Sequence, residues 1–110
     1  MEVTAEARRQ AIAEFRDHAA RGTWTWDEAV AFLYALSERG LTRRDLFEMC
    51  RDVLDNPPPG MTEHSEDLVT DLAGHLLGQC SVDQIIRLHG DPPGVEALAV
   101  YVTKKSWLKD

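Results

Sequence analysis

The chain contains 110 residues, of which 44% are hydrophobic, and it sets 12 Lys and Arg against 19 Asp and Glu. This length and composition are typical of a single globular domain, residues 1–110, that buries enough apolar surface to fold without a metal or a disulfide. The net charge of −7 argues against nucleic acid and anionic membranes as partners, because both are bound through clustered lysine and arginine.

Two helices with clear start and stop signals are predicted in the N-terminal part of the chain. The first covers about residues 4–20 and ends at Gly22, a residue type suited to a left-handed C-terminal position. Thr25 and Glu28 predict a capping box at the start of the second helix, because each side chain can bond the other residue's backbone amide. The second helix then ends at Gly40.

A third helix is predicted to begin at Thr42, another residue that caps helix N-termini well. Its apolar residues recur at helical spacing and are Leu46, Phe47, Cys50, Val53 and Leu54. Residues 55–60, Asp-Asn-Pro-Pro-Pro-Gly, cannot continue the helix, because successive prolines remove backbone donors and favour extended geometry. Trp24 and Trp26, on either side of the second helix cap, are assigned to the core or to a hydrophobic staple.

The fourth helix is predicted to be the longest, with Thr62 as its cap. Its buried stripe consists of Leu68, Val69, Leu72, Ala73, Leu76 and Leu77. Gly74 and Gly78 are both placed inside this helix, where each glycine costs about 1 kcal/mol relative to alanine. Such a cost suggests that these positions serve close packing.

Two shorter helices are predicted in the remainder of the chain. Ser81 and Gln84 match a capping box for a fifth helix over residues 82–89, and a last helix begins near Val95. Residues 99–103 are rich in β-branched side chains, but no second strand is available to pair with them, so a helix is favoured. The predicted fold is therefore an all-α, single-domain bundle of about five to six short helices.

The acidic residues are concentrated in one third of the chain. Asp52 through Ile86 contains seven Asp and Glu and no Lys or Arg, whereas the other residues contain twelve of each. On a helical wheel Glu63, Asp67 and Asp71 lie opposite the apolar stripe, and the last two repel each other at i,i+4 spacing. We expect a partner to bind at Asp52, Asp55, Glu63, Glu66, Asp67, Asp71, Gly74 and Gly78.

Two other interpretations of this acidic surface stay open. It can be an ordinary solvated helix face whose glycines let a neighbouring element approach. Alternatively, the basic tail Lys104–Lys109, which contains Trp107, can fold back and neutralise it.

No metal, cofactor or catalytic site is predicted. His64, Asp67, Asp71 and His75 have spacings found among metal ligands, but they extend too far along one helix to converge on a single ion. Phosphate loops, nucleophile elbows and zinc-protease motifs do not occur, so we expect a protein that is not an enzyme.

The cysteines and the N-terminal sequence predict a cytoplasmic, reducing environment. Cys50 and Cys80 fall at apolar positions assigned to helices, which favours buried thiols over a disulfide. The N-terminal sequence carries acids where a signal peptide is basic, and the apolar runs are too short to span a bilayer. Arg43 and Arg44 follow a tight turn, as in a DNA-binding helix, but acids on the same helix offset their charge.

In its general make-up the chain resembles the small acidic, all-helical immunity proteins of bacterial toxin systems, including those of nuclease bacteriocins and contact-dependent growth inhibition. The resemblance lies in small size, capped helices, missing catalytic motifs and the concentrated acids, of which Asp67 and Asp71 are examples. It implies a protein that binds a cognate, basic toxin domain and holds it inactive. The alternative from a different class is a helical regulatory or adaptor domain, monomeric or paired as a homodimer through Gly74 and Gly78.

Overall fold

A computed structural model describes residues 4–108 of the chain. Its five α-helices are α1 (Ala5–Arg21), α2 (Trp26–Glu38), α3 (Arg43–Asp55), α4 (Glu63–Leu77) and α5 (Val95–Thr103). Two 3₁₀ turns, Val82–Gln84 and Ser106–Leu108, follow α4 and α5, and residues 4–108 contain no strand. The predicted all-α bundle is confirmed, and residues 99–103 are helical as expected.

Four of the helices begin at a threonine whose side chain accepts a hydrogen bond from the backbone amide three residues later. These caps are Thr4, Thr25, Thr42 and Thr62. At Thr25 the predicted capping box is present, because Glu28 also accepts a bond from the Thr25 amide. Asp45 completes a second box at Thr42. Helix starts are thus fixed by local chemistry, each cap contributing about 1 kcal/mol.

The helices enclose one main core and a smaller satellite cluster. The main core lies between α1, α2, α3 and α4, and its fully buried side chains include Phe15, Leu33, Leu46, Leu72 and Leu76. The satellite joins Ile85 to Leu98 and Val102 of α5. Within residues 4–108, no helix combines the length and hydrophobicity needed to cross a bilayer.

The predicted fifth helix, residues 82–89, is wrong apart from the single 3₁₀ turn. Ser81 forms no side-chain cap, and the Gln84 amide bonds the Ser81 carbonyl instead. Beyond the turn, the Leu88 amide donates to Asp91 and the Ile86 carbonyl accepts from a distant arginine. The backbone is already extended at Ile85, and the Leu88 amide donates to a side chain instead of to a helical carbonyl, so no helix continues through this segment.

Gly78 does not lie inside the fourth helix, as the sequence suggested. It is the residue that ends α4, with a left-handed φ of 80°. Its amide donates to the Gly74 carbonyl, as does that of Gln79 at 2.9 Å. The glycine therefore satisfies the backbone requirement of a helix C-terminus, while Gly74 is helical as predicted.

Candidate functional site

The exposed side of α4 carries four carboxylates. Glu63, Glu66, Asp67 and Asp71 are all exposed, whereas the opposite side of the helix is buried in the main core. Glu63 and Glu66 lie in the first turn, where the positive end of the helix dipole favours acidic side chains. We call these four residues the acidic face.

The acidic face has no basic partner in the part of the chain that the structure describes. No lysine, arginine or histidine nitrogen of residues 4–108 lies within 4.0 Å of these four carboxylates. The i,i+4 pair Asp67 and Asp71 therefore repel each other, at a cost of a few tenths of a kcal/mol, and no ion pair with residues 4–108 offsets it. A basic partner would remove that cost.

The two acids predicted from α3 belong to a different environment. Asp52 accepts a hydrogen bond from Arg16 of α1 at 3.2 Å, so its charge is already paired within the fold. Asp55 is the last residue of α3 and is exposed. The structure thus leaves Asp55 available at the surface but ties Asp52 to α1.

The two glycines expected to form a flat patch have different surroundings. A Cβ atom built on Gly74 would meet no atom within 4 Å, so this part of α4 is open. The same atom on Gly78 would lie 3.0 Å from Val102 Cγ1 and 3.3 Å from Thr103 Cγ2 of α5. The prediction of an open patch at both glycines is therefore wrong for Gly78, which packs against α5. Only Gly74 of the two lies at an open position.

The described part of the tail lies against α3 and not against the acidic face. Trp107 packs edge-on to Phe47, with ring centroids 6.2 Å apart, and its indole N–H donates to the Val102 carbonyl at 2.9 Å. Lys104 and Lys105 are exposed and form no ion pair with the described acids. Lys109, the other basic residue of that tail, lies outside the described residues.

A groove opens between the start of α2 and one edge of the acidic face. It has a volume of about 410 Å³ and is lined by Trp26, His64, Asp67, Leu68, Asp71 and His75. The Trp26 and His75 rings meet edge to face, with centroids 4.7 Å apart. The His75 Nδ1 atom lies 2.7 Å from the Asp71 carbonyl oxygen, which fixes the imidazole on its own helix.

Sequence reasoning did not identify this groove, because it assigned Trp26 to the core or a staple. The side chain is half-buried and packs on the edge of the main core, so that assignment is confirmed in part. Trp24 is buried and stacks on His18 at 4.5 Å. In the sequence, only position distinguished the half-buried tryptophan from the buried one, since Trp26 is the first residue of a helix and Trp24 precedes the helix.

Sequence reasoning also missed the role of Arg43. This side chain is only 4% exposed and donates to the Leu76 carbonyl at 3.1 Å, the Ile86 carbonyl at 2.7 Å and the Asp91 carboxylate at 2.6 Å. Burial lowers the pKa of Arg43, and the charge of Asp91 opposes that shift. Arg43 is therefore a structural cation that joins α3, α4 and the segment before α5.

Both cysteines are free thiols, as expected. Cys50 is fully buried, and burial raises its pKa to about 12. Cys80 lies just after α4 rather than on a helix and is only partly buried, so its predicted helical position is wrong. Among residues 4–108, no three His, Cys, Asp or Glu side chains are grouped so that they could hold a metal ion.

Together these features define the class of protein as a small all-α bundle with an acidic helix face that forms no ion pair within residues 4–108 and is bordered by an aromatic groove. No protein-family model matches the chain, and comparison with curated proteins and with solved structures finds no significant match.

Proposed function

We propose that this is a non-catalytic binding protein whose acidic face docks onto a basic surface of another protein. The supporting observation is the set of exposed carboxylates at Glu63, Glu66, Asp67 and Asp71, which form no ion pair with any of the described residues. Complementary charge speeds diffusional encounter and excludes partners of the wrong sign.

The architecture suits such a role because the charged surface lies on a rigid element. The α4 helix is held on its inner side by the buried residues Leu72 and Leu76, and at its end by Arg43, which donates a hydrogen bond to the Leu76 carbonyl. The helix backbone that carries the carboxylates is thus held in place before a partner binds.

Within this class, we propose an immunity or inhibitor protein that neutralises a cognate bacterial toxin domain. The resemblance in size, helical make-up and acidity supports this assignment, and a basic nuclease domain is the type of toxin that the charge favours. The inhibitor would block the toxin surface by occupying it, so no chemistry on the inhibitor is needed. A cytoplasmic location would place it where such toxins act.

The experiment that tests the proposal is the association of the protein with a candidate basic toxin domain across a salt series. Glu66→Lys should slow association by roughly threefold to tenfold at low salt, because it removes long-range attraction. Glu96→Lys is the matched control, since Glu96 also lies in the first turn of a helix and is exposed, but on α5. Equal effects of the two variants would contradict the proposal.

A homodimeric adaptor is the second candidate, and the open surface at Gly74 is the observation that favours it. Symmetric pairing of α4 would, however, bring Asp67 and Asp71 of two copies close together, and like charges at an interface oppose association. Sedimentation at micromolar concentration separates the two candidates. A stable dimer that Gly74→Leu disrupts and Asp67→Lys leaves intact would establish the adaptor.

A further inference from the structure

We infer that the groove beside Trp26 is a binding site for an arginine side chain of the partner protein. This inference rests on the proposed function and adds which residue of the basic partner is recognised. It is carried by the combination of an aromatic ring, two carboxylates and an oriented imidazole around one groove of about 410 Å³. No single member of that set would be sufficient.

The Trp26 ring provides an apolar surface of fixed orientation. Trp26 is the first residue of α2, and the capping box of Thr25 and Glu28 holds the backbone there. The ring also packs on the main core and meets the His75 ring edge to face at 4.7 Å. A ring held in this way can accept a cation over its exposed surface.

The polar groups that line the groove include two carboxylates and the imidazole of His75. Asp67 and Asp71 are exposed on α4 and have no ion-pair partner among the described residues. The His75 Nδ1 atom must carry a proton, because the Asp71 carbonyl at 2.7 Å can only accept. In the neutral ring the other nitrogen, Nε2, is then an acceptor as well.

This arrangement matches a guanidinium group better than an ammonium group. A guanidinium is planar, presents five donors in a fixed fork, stacks on aromatic rings and is weakly hydrated. It can therefore lie against Trp26 while donating to Asp67 or Asp71. A lysine ammonium has the same charge, but it is compact and strongly hydrated, so it would gain from the carboxylates and less from the ring.

Nuclear magnetic resonance with two small probes tests the inference. N-acetyl-arginine amide and N-acetyl-lysine amide are titrated into the labelled protein, and the indole N–H signals of the three tryptophans are followed. We expect the Trp26 signal to shift and to report roughly two- to fivefold tighter binding of the arginine probe. The Trp24 and Trp107 signals should stay in place, because Trp24 is buried and the Trp107 N–H is already bonded to Val102.

A pair of charge-matched variants locates the site. Asp71→Asn should weaken arginine binding by about threefold or more, whereas Glu96→Gln, on α5 and outside the acidic face, should leave it unchanged. Both variants remove one exposed negative charge and leave the main core unchanged. A difference between them therefore reports on the position of the charge. Equal binding of the two probes, equal effects of the two variants, a response at Trp107 instead of Trp26, or no response at all would overturn the inference.

The same design separates failure of the groove from failure of the proposed function. If the toxin domain associates more slowly with Glu66→Lys but Asp71→Asn behaves like Glu96→Gln with the arginine probe, the acidic face binds its partner without an arginine in the groove. If the probe selects arginine at Trp26 but Glu66→Lys has no effect on any basic partner, the groove stands as a site and the proposed toxin-binding function falls.

Discussion

Arg43 and Asp91 form a buried ion pair, with Arg43 Nη2 2.6 Å from Asp91 Oδ2. The two side chains are only 2% and 10% exposed and lie 48 positions apart in the sequence. Asp91 also accepts the Leu88 amide at 2.7 Å, and Arg43 lies under the Trp107 ring at 5.9 Å. One ion pair thus fastens the C-terminal segment to the four-helix core.

Removing Arg43 should therefore destabilise the whole domain. Arg43→Ala removes the arginine donor from a buried carboxylate and from two backbone carbonyls. Breaking a buried ion pair in this way typically costs about 3 to 5 kcal/mol. Urea unfolding measures the change. Arg16→Ala is the control, because the Arg16–Asp52 pair is partly exposed and its loss should cost less than about 1 kcal/mol. Similar losses for the two variants would show that Arg43 is not the main connection.

The two glycines of α4 should respond to alanine with opposite signs. Gly74→Ala should raise the free energy of unfolding by about 0.5 to 1 kcal/mol, because the helical position is open and alanine is the better helix former. Gly78→Ala should lower it by more than about 1 kcal/mol, since the left-handed backbone and Val102 Cγ1 at 3.0 Å both oppose a Cβ atom. Thermal or urea unfolding of both variants provides the measurement, and stabilisation by Gly78→Ala would contradict the packing against α5.

The two thiols should differ in their reaction with a thiol reagent. Cys50 is fully buried with a pKa raised to about 12, while Cys80 is partly buried and burial followed by the charge of Asp83 raises its pKa. Because the thiolate is the reactive form, we expect slow labelling of Cys80 and none of Cys50 in the native protein. Mass spectrometry of peptides after labelling, with and without urea, distinguishes them. Native labelling of Cys50 at the rate of Cys80 would show that the core opens there.

The raised pKa of Cys50 makes the free energy of unfolding decrease at alkaline pH. The Cys50 thiol ionises more readily in the unfolded chain, so its contribution is complete below the ordinary value of 9.0 and decreases as the pH rises towards about 12. The free energy of unfolding should thus fall less steeply between pH 9 and pH 10.5 for Cys50→Ala than for the parent. Urea unfolding across this range measures the slopes, and identical slopes would exclude a contribution from Cys50.

The capping box of α2 should lose its strength in acid. Hydrogen bonds from the backbone and side chain of Thr25 hold the pKa of Glu28 below its ordinary value of 4.5. A lowered pKa means that this stabilisation is present above pH 4.5 and disappears as the pH falls through the folded value. Parent and Glu28→Ala should accordingly differ in urea midpoint at neutral pH and converge below pH 4. A difference in urea midpoint that stays constant with pH would show that the charge of Glu28 does not stabilise the capping box.

The features that the sequence predicted well are those settled within one helical turn. Each threonine cap requires only a hydroxyl and an amide three residues away, so Thr25, Thr42 and Thr62 were recognisable without any tertiary information. The acidic face follows equally from the helical period, because Asp67 and Asp71 lie opposite the buried stripe at 100° per residue. Residue type and spacing are sufficient in these cases.

The fifth predicted helix failed for a reason that lies outside its own sequence. Local signals at Ser81 and Gln84 favoured a helix, but Ile86 and Leu88 bond to Arg43 and Asp91 instead. Those bonds, together with burial of the two side chains, outweigh the small advantage of a capping box. A single arginine, interpreted in the sequence as one of an exposed basic pair, decided the backbone of a remote segment.

The sequence by itself determined that this protein is an all-helical domain with capped helices and a concentrated acidic surface, because periodicity, caps and charge are local properties. Only the tertiary structure decided that Gly78 packs against α5, that Asp52 is paired with Arg16, and that Trp26 and His75 meet at one groove. These relationships join distant parts of the chain, and they depend on how the helices pack rather than on any spacing within them.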